Sequence, residues 1–444
     1  MKTIQEGIHH MIVLSNIQKL YDGTSSTQHA IHERVDLWID NGRIESLHPH
    51  DPKRPPGSAV RRIDCSSLTV TPGLIDCHGH VTLFGVGRDP LERMNSPEGL
   101  LYAERILYTT LVNGGVTTLR DVGGATHLLK RLVEEGFLLG PRLKIAICML
   151  STTGGHADFR GPDRCCGEVS RLWPPGPGRP SSIVDGPWAC RKRVREIAAC
   201  GADLVKVCAS PGVVSPTDQL EHRDFTAQEI DAICDEAAAR GLYVAGHAHS
   251  RNGIALSIEH GIKDIQHISF LDETLAEKAY AKGCTVTPTS WVTQALVEAK
   301  DLSDFVKHKV RQVAEAHAQA VRIAHNSGLN LLAGTDPVLP HMHGRNYMEL
   351  VALMNEGIPP LTAWYGATGL AAKQIGQEDA GVLTSGHRAD LLVCRGNVLD
   401  RPALFEQGAL LEVVKDGVAY RGGLEGFPPR TLGDWMLDGL RGNR

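Results

Sequence analysis

The chain has 444 residues, of which 42% are hydrophobic and 22% are charged, as in ordinary soluble globular proteins. Its formal net charge is −5 without a block of like charge, which argues against a nucleic-acid or an anionic-membrane partner. No apolar run is long enough to span a bilayer, and the length predicts one large domain with a small one.

The two ends of the chain are predicted to be β-structure. Near the N-terminus, Asn41-Gly42 follows the alternating segment 35–39, which predicts a hairpin. Similar short segments occur at 389–393 and 413–418. Neither end can bury a core alone. We therefore predict one small β-sandwich domain that residues 1–67 and 381–444 form together.

The middle of the chain, residues 68–380, alternates between strand and helix patterns. Its eight β-type segments lie near residues 74–78, 117–121, 143–150, 203–208, 242–247, 264–267, 284–289 and 331–336. The clearest helix begins at Thr226, where Glu229 completes a capping box. Eight such units predict an α/β fold of the (β/α)8 TIM-barrel type. The alternative is a doubly wound open sheet, although no glycine fingerprint follows the first strand.

Residues 151–190 form one long irregular stretch, rich in Gly, Pro and Arg. A loop of this length is usually a functional lid or disordered. Candidate lid residues are Arg160, Trp173 and Trp188, and the adjacent Cys165-Cys166 has no predicted role. The eleven cysteines of the chain lie mostly in apolar segments, so we interpret them as reduced thiols of a cytoplasmic protein.

Ligand-type side chains stand at the ends of the predicted strands. His78 and His80 are two residues apart after the first strand, so both imidazoles face the same side. His247, His267 and Asp336 end later strands. The carboxyl ends of barrel strands converge on one face, and imidazole is a common metal ligand. The pattern predicts a metal site there, whereas an isolated His-x-His pair would equally fit two surface histidines.

Lys206 lies in the middle of the apolar segment 204–208. Burial lowers the pKa of a lysine and makes it a nucleophilic amine. Such an amine could form a Schiff base, or it could react with carbon dioxide to give an anionic carbamate that bridges two cations. The neighbouring histidines favour the carbamate. The plain alternative is a lysine that snorkels to solvent or pairs with a carboxylate.

These motifs resemble those of one enzyme superfamily. The segment 71–80, TPGLIDCHGH, resembles the opening motif of the amidohydrolases, and the likeness continues through segment 114–121, Lys206 and the Gly334-Thr335-Asp336 motif. Segments 153–158 and 246–249 resemble the imidazolonepropionase-like branch of Xaa-Pro dipeptidase, carboxypeptidase and ochratoxinase type. One departure is Ser210-Pro211-Gly212, where that branch usually carries a glycine pair.

The resemblance implies two divalent metal ions, expected to be Zn²⁺, and six residues that hold them. These are His78, His80 and Asp336 for one ion, His247 and His267 for the other, and Lys206, as N6-carboxylysine, between the two. Asp336 would also take a proton from the attacking water and pass it to the leaving amine. His249 is the next catalytic candidate. His249, His156 and His343 are predicted to contact the substrate, with an exposed loop position as the alternative for the last two.

The implied reaction is hydrolysis of an amide bond in a small molecule. We expect release of a C-terminal amino acid from a dipeptide or an N-acyl amino acid, with ochratoxin-like amides among the candidate substrates. Two alternatives stay open. One is hydrolysis of a cyclic amide, carbamate or urea at the same metal centre, and the other is a non-catalytic barrel scaffold, which should have lost the ligands. The protein is further expected to be a homo-oligomer.

Overall fold

A computed structural model describes residues 11–53, 60–85, 97–158, 173–215, 218–300 and 302–424, together with residue 427. Arg160, Cys165 and Cys166 lie outside these residues. Within the described ranges, no helix combines the length and the apolar character needed to cross a membrane. The nine described cysteines are free thiols.

The strands in chain order are β1 Ile12–Tyr21, β2 Ile31–Asp40, β3 Arg43–Pro49, β4 Arg61–Asp64, β5 Leu68–Pro72, β6 Leu74–Gly79, β7 Val116–Asp121, β8 Arg142–Ile145, β9 Met149–Leu150, β10 Val205–Cys208, β11 Val244–Ala248, β12 Asp264–His267, β13 Thr285–Thr287, β14 Asn330–Leu331, β15 Leu391–Arg395, β16 Leu410–Lys415 and β17 Val418–Ala419. The helices are α1 Pro97–Val112, α2 His127–Glu134, α3 Pro187–Ala199, α4 Ala227–Ala238, α5 Arg251–Glu259, α6 Glu273–Ala281, α7 Ser290–Glu298, α8 Asp304–Asn326, α9 Met348–Asn355, α10 Pro360–Gly366 and α11 Gly369–Gln374.

Strands from both ends of the chain form one eight-stranded sheet. Its order is β17-β16-β15-β5-β1-β2-β3, and β4 pairs with β1. The predicted hairpin is confirmed, because Asn41 and Gly42 have φ values of 48° and 77° between the antiparallel strands β2 and β3. Leu37 and Ile39, two residues apart on β2, are buried in the core of this sheet. Both ends therefore build one β-structure, and its description as a sandwich stays a prediction.

The middle of the chain forms two parallel ladders, β6-β7-β8 and β14-β13-β12-β11-β10-β9, with helices between successive strands. Backbone hydrogen bonds join the ladders on both sides. The N–H of Cys77 donates to Ala333 O at 2.9 Å, and the N–H of Asp203 donates to Ile145 O at 2.8 Å. The arrangement is α/β with parallel strands, and a fully closed eight-stranded barrel stays our interpretation of it.

The third predicted strand, residues 143–150, is divided in the structure into β8 and β9. Ile147 has a φ of 68°, in the left-handed region where a β-branched residue cannot continue a strand. β8 ends the first ladder and β9 begins the second. The last predicted strand, 331–336, is likewise short, since only β14 is regular.

The helix predicted after Thr226 is confirmed as α4. The Thr226 side chain accepts the N–H of Glu229, and the Glu229 carboxylate accepts the N–H of Thr226 at 2.8 Å. Ile230 and Ile233, three residues apart, are buried on one face of α4. Gly241, with a φ of 69°, then turns the chain toward β11.

Candidate metal centre

The first cluster of ligand side chains lies where β6 ends. Nε2 of His78 and Nε2 of His80 lie 3.4 and 3.3 Å from Oδ1 of Asp336. The three candidate ligand atoms lie within 4.8 Å of one another, and all three residues are buried. The backbone N–H of Asp336 donates to His78 O at 2.7 Å. The structure thus brings together the three residues predicted for one ion.

Asp76 holds the two segments of this cluster together. Its carboxylate accepts the N–H of His78 at 2.9 Å, the N–H of Thr335 at 3.1 Å and Nδ2 of Asn346 at 2.7 Å. Burial raises the pKa of Asp76, although these hydrogen bonds oppose the shift. Sequence reasoning gave Asp76 no role. Its signal was a carboxylate within an apolar strand, two residues before His78.

The second cluster consists of His247 on β11, His249 just after it and His267 at the end of β12. Their candidate ligand atoms also lie within 4.8 Å of one another. Burial lowers the pKa of each imidazole well below its ordinary value. Neutral imidazole is the form that binds metals. The structure therefore places His249 beside the two histidines predicted for the second ion.

Hydrogen bonds at two of these rings select the nitrogen that is free for an ion. Nδ1 of His267 lies 2.7 Å from Thr289 Oγ1, whose own proton goes to Pro288 O. Nε2 of His247 lies 3.3 Å from Pro211 O. This leaves Nε2 of His267 and Nδ1 of His247 free to bind an ion.

Backbone strain is concentrated at the same strand ends. His267, Ile268, Thr289 and Asp336 have φ values of 70°, 53°, 57° and 46°. Non-glycine residues in this left-handed region cost on the order of 1–3 kcal/mol each and cluster at functional sites. The hydrogen bonds of Asp336 and His267 described above hold these conformations in place.

Lys206 lies on β10 and lines the same cavity as both clusters. Its side chain is 0% exposed, and burial lowers its pKa to about 8. Nζ donates to Oε1 of Gln266, and Nε2 of Gln266 donates to Oδ2 of Asp264 at 3.0 Å. Asp264 in turn pairs with Arg120. This network turns the oxygen of Gln266 toward the lysine. It keeps the amine at the end of the cavity that contains both clusters, which we call the floor.

The donor set of the cavity floor fits two divalent ions. It offers imidazole nitrogens in both clusters, the Asp336 carboxylate in one, and an amine of lowered pKa that can become a carbamate. Nitrogen and oxygen donors of this kind bind zinc. The floor therefore has the chemistry that the sequence predicted for a binuclear centre.

The wall of the cavity is apolar, in contrast to its floor. The residues that form it are Leu83, Met149, Trp173, Val213, Val214, Val292, Leu296, Val310, Val313 and Val338. Among the described residues that line the cavity, none is an arginine, and Lys206 is the lysine. The wall is therefore suited to contact apolar groups of a ligand that binds over the floor.

Of the candidate lid residues, Trp173 is at the site. Its ring lies 5.1 Å from that of His80, and its Nε1 donates to Thr82 Oγ1 at 3.1 Å. Trp188 is 83% exposed near the start of α3 and does not line the cavity. Trp173 thus covers the first cluster.

Of the residues predicted to contact the substrate, His156 lines the cavity and His343 does not. His156 lines the cavity and stacks on His247, with ring centroids 4.2 Å apart, and burial lowers its pKa to about 4. A Cβ atom on Gly212 would lie 2.0 Å from the His156 ring, so only glycine fits there. By contrast, Nε2 of His343 lies 3.2 Å from Phe84 O, outside the described cavity lining. We therefore leave His343 out of the site.

The loop after β10 contains the departure at Ser210-Pro211-Gly212, and Lys309 of α8 fixes it. Nζ of Lys309 donates to Gly212 O at 2.8 Å, to Ser215 O at 2.9 Å and to Oδ1 of Asp218 at 3.0 Å. Sequence reasoning missed Lys309. Its signal was a lysine on the face of α8 that buries Val306, Val310 and Val313.

Several known proteins are similar to this chain in sequence and in fold. The profile of the amidohydrolase family matches residues 69–419. The ochratoxinase of Aspergillus niger is 31% identical over 373 residues, which cover 79% of this chain and 75% of that protein. The imidazolonepropionase of Pseudomonas paraeruginosa is 26% identical over 390 residues, which cover 85% of this chain and 90% of that protein. A crystal structure of a prolidase complexed with N-methylphosphonate-L-proline is 30% identical with a TM-score of 0.84, covering 93% of this chain and 99% of the prolidase.

Proposed function

The chain belongs to the amidohydrolase family and is an enzyme that hydrolyses amide bonds, and from this premise we propose that it uses a binuclear metal centre to release a C-terminal amino acid from a dipeptide or an N-acyl amino acid. One observation carries the proposal. Two buried clusters of ligand side chains and a buried lysine share the floor of one cavity whose wall is apolar. A non-catalytic scaffold would not need to retain these ligand side chains.

In the proposed centre, His78, His80 and Asp336 would hold one ion, and His247 and His267 would hold the other. Lys206, as N6-carboxylysine, would supply an anionic ligand to both. Its lowered pKa supports this role, because carbon dioxide reacts with the neutral amine, forming an N–C bond and releasing one proton. We expect zinc, which accepts this set of nitrogen and oxygen ligands.

Two bound divalent ions would make a water molecule more acidic and would polarise the scissile carbonyl. The residues of the chain supply the proton transfers. Asp336 would accept the proton of the attacking water and deliver it to the leaving nitrogen. His249 lines the cavity as part of the second cluster and is the other group that can accept a proton there.

The cavity wall supports amides with an apolar group beside the scissile bond. The side chains Val213, Val292 and Val313 would contact such a group, and Trp173 and His156 would exclude water from above the floor. Ochratoxin-like amides and dipeptides with an apolar residue both satisfy this requirement. The homo-oligomeric state and the cytoplasmic location stay predictions.

A substrate panel tests the proposal. Zinc-replete enzyme is incubated with dipeptides, N-acyl amino acids, ochratoxin-like amides, lactams, carbamates and ureas, and the released amine is measured. We expect hydrolysis of linear amides, faster with an apolar group beside the bond, and loss of activity after chelation. Turnover of lactams, carbamates or ureas alone would replace the proposed substrate class with the alternative one, and full activity in chelator would exclude the metal centre.

A further inference from the structure

A chain of hydrogen bonds leads from the cavity through the helical layer. Nδ1 of His249 lies 2.8 Å from Ser269 Oγ, which lies 3.1 Å from Nδ1 of His317. Nε2 of His317 lies 3.4 Å from Ser290 Oγ, which donates to Oε2 of Glu356 at 2.6 Å. Four contacts thus connect a histidine of the cavity to a carboxylate at the end of α9.

These five residues come from separate elements of the fold, and all are buried. Ser269 follows β12, Ser290 begins α7, His317 lies in the middle of α8 and Glu356 ends α9. A buried polar atom without a hydrogen bond costs stability, so each group must find its partner within the chain of contacts. This requirement determines where the protons lie.

The direction of the chain follows from Glu356. A carboxylate only accepts, and a serine hydroxyl has one proton to donate. Ser290 gives its proton to Glu356, so it must accept from Nε2–H of His317. Burial lowers the pKa of His317 to about 4, so the ring is neutral and its Nδ1 is an acceptor.

The proton positions at Ser269 and His249 follow from the state of His317. Because Nδ1 of His317 accepts, the hydroxyl of Ser269 donates to it. The oxygen of Ser269 then accepts from Nδ1–H of His249. The other nitrogen of His249, Nε2, is left without a proton, and a neutral imidazole in this state offers a lone pair.

We propose that Ser269, His317, Ser290 and Glu356 form a relay that holds His249 in its Nδ1–H tautomer and thereby presents the lone pair of Nε2 to the cavity. The four are positioning residues, because they act through His249. With this tautomer His249 accepts a proton or a hydrogen bond during the reaction and does not donate one to the carbonyl oxygen. The kinetic consequence rests on the proposed function, whereas the tautomer rests on the hydrogen bonds alone.

The direction of the relay depends on an ionised carboxylate at Glu356. Its Oε1 lies 3.5 Å from Nε2 of Gln294, and the positive charge of Arg322 acts on it. Burial raises the pKa of Glu356 to about 7, while Ser290 and Arg322 oppose the shift. Experiments are therefore made at pH 8, where the carboxylate is charged.

Nitrogen-15 NMR of zinc-loaded enzyme with labelled histidine tests the tautomer directly. The signals of His249 are identified by their absence in His249→Ala. We expect a protonated Nδ1 in the wild-type enzyme and a shift of the proton to Nε2 in His317→Phe, where Ser269 loses its acceptor and turns its own proton toward His249. A proton on Nε2 in the wild type, or an unchanged tautomer in His317→Phe, would overturn the relay.

Two further variants separate positioning from packing. His317→Asn keeps an oxygen acceptor near the position of Nδ1, so Ser269 can still donate and the wild-type tautomer should persist. Glu349→Gln is the matched control, because Glu349 is a buried carboxylate that binds the backbone N–H of Ser290 at 2.9 Å without joining the relay. It should leave the His249 signals unchanged. If it shifts them as His317→Phe does, general repacking explains the effect.

On a substrate from the panel, His317→Phe should lower kcat by about 10-fold to 100-fold, the usual effect of removing a partner that orients a site residue. KM and zinc content should stay near the wild-type values, and His317→Asn should recover most of the loss. A fall in zinc content that accounts for the lost activity would instead assign the residue to metal binding. The NMR result stands even if the substrate class proposed above is wrong.

Discussion

Lys206 and Lys309 are both buried beside the cavity, with 0% and 1% of their surface exposed, yet their surroundings are opposite. Nζ of Lys309 donates to two backbone carbonyls and pairs with Asp218, so its charge is balanced. The hydrogen-bond partner of Lys206 among the described residues is the neutral amide of Gln266. Burial lowers the pKa of both amines, but only at Lys309 does a directly paired carboxylate oppose the shift.

The comparison shows that burial alone does not mark a functional lysine. A buried ammonium that is paired and hydrogen-bonded holds structure together, as Lys309 does for the loop after β10. A buried amine with a neutral partner loses its proton easily and is available for chemistry. The number and charge of the partners, more than the exposure, separate the two roles.

The largest effect is expected at Lys206. Lys206→Arg should abolish hydrolysis, because guanidinium stays protonated and cannot become a carbamate. Lys206→Ala should also be inactive, and a short carboxylic acid with added zinc should restore part of its activity by replacing the bridge. Lys309→Arg is the matched control, since it keeps a cation beside Asp218, and it should retain far more activity. Substantial turnover by Lys206→Arg would refute the carbamate and erase the contrast between the two lysines.

Asp336→Asn leaves both lysines in place and tests mainly the proton transfer. Asparagine keeps an oxygen for the metal but accepts no proton near neutral pH. We expect kcat and kcat/KM to fall together by about 10²–10⁴-fold, the range for general acid–base catalysis. Metal analysis of the same preparation should show smaller losses. A near-normal kcat would move the proton transfer to His249.

Lys309→Met should act on stability. Removing the ammonium leaves the carboxylate of Asp218 buried without its cation, which costs about 3–5 kcal/mol in the free energy of unfolding. Urea unfolding measures this value. The zinc content per folded molecule should be unchanged, and Asp218→Asn together with Lys309→Met should recover part of the stability. An unaltered free energy of unfolding would remove Lys309 from its structural role.

The smallest effect is expected at His156. His156→Ala removes the ring that stacks on His247 and opens the cavity above the floor. KM should rise by up to about tenfold, equivalent to about 1.4 kcal/mol, while kcat and both metals are retained. A loss of the second ion in this variant would show that the stacked ring supports His247.

The clustered ligands could be predicted because each follows a local rule. His78 and His80 share a face through the two-residue period of a strand, and the parallel ladders bring the ends of β6, β11 and β12 to one floor. The capping box at Thr226 is equally local. Local patterns placed each side chain at a strand end, and the expected barrel fold brought those ends together.

The relay, and the hydrogen bonds by which Lys309 holds the loop after β10, could not be predicted in the same way. Ser269, Ser290 and Glu356 meet only through the packing of three helices onto the ladders, and no spacing in the sequence connects them. A signal existed at His317, which lies on the buried face of α8 together with Val313. A polar residue on an apolar helix face indicates that the residue has a buried polar partner. The sequence does not identify that partner.

The pairing of β5 with β15 also has a consequence for the synthesis of the protein on the ribosome. Pro72 lies opposite Leu391 in this pair, so β15 emerges only after all of β6–β14 has been translated. Until then β5 has an open edge, and its five residues, all buried in the finished sheet, lack part of their cover. Contacts so distant in sequence slow folding and expose the nascent chain to aggregation. The yield of folded enzyme should therefore depend on chaperones and on growth temperature. This dependence should be stronger than the regular structure of the terminal sheet would suggest.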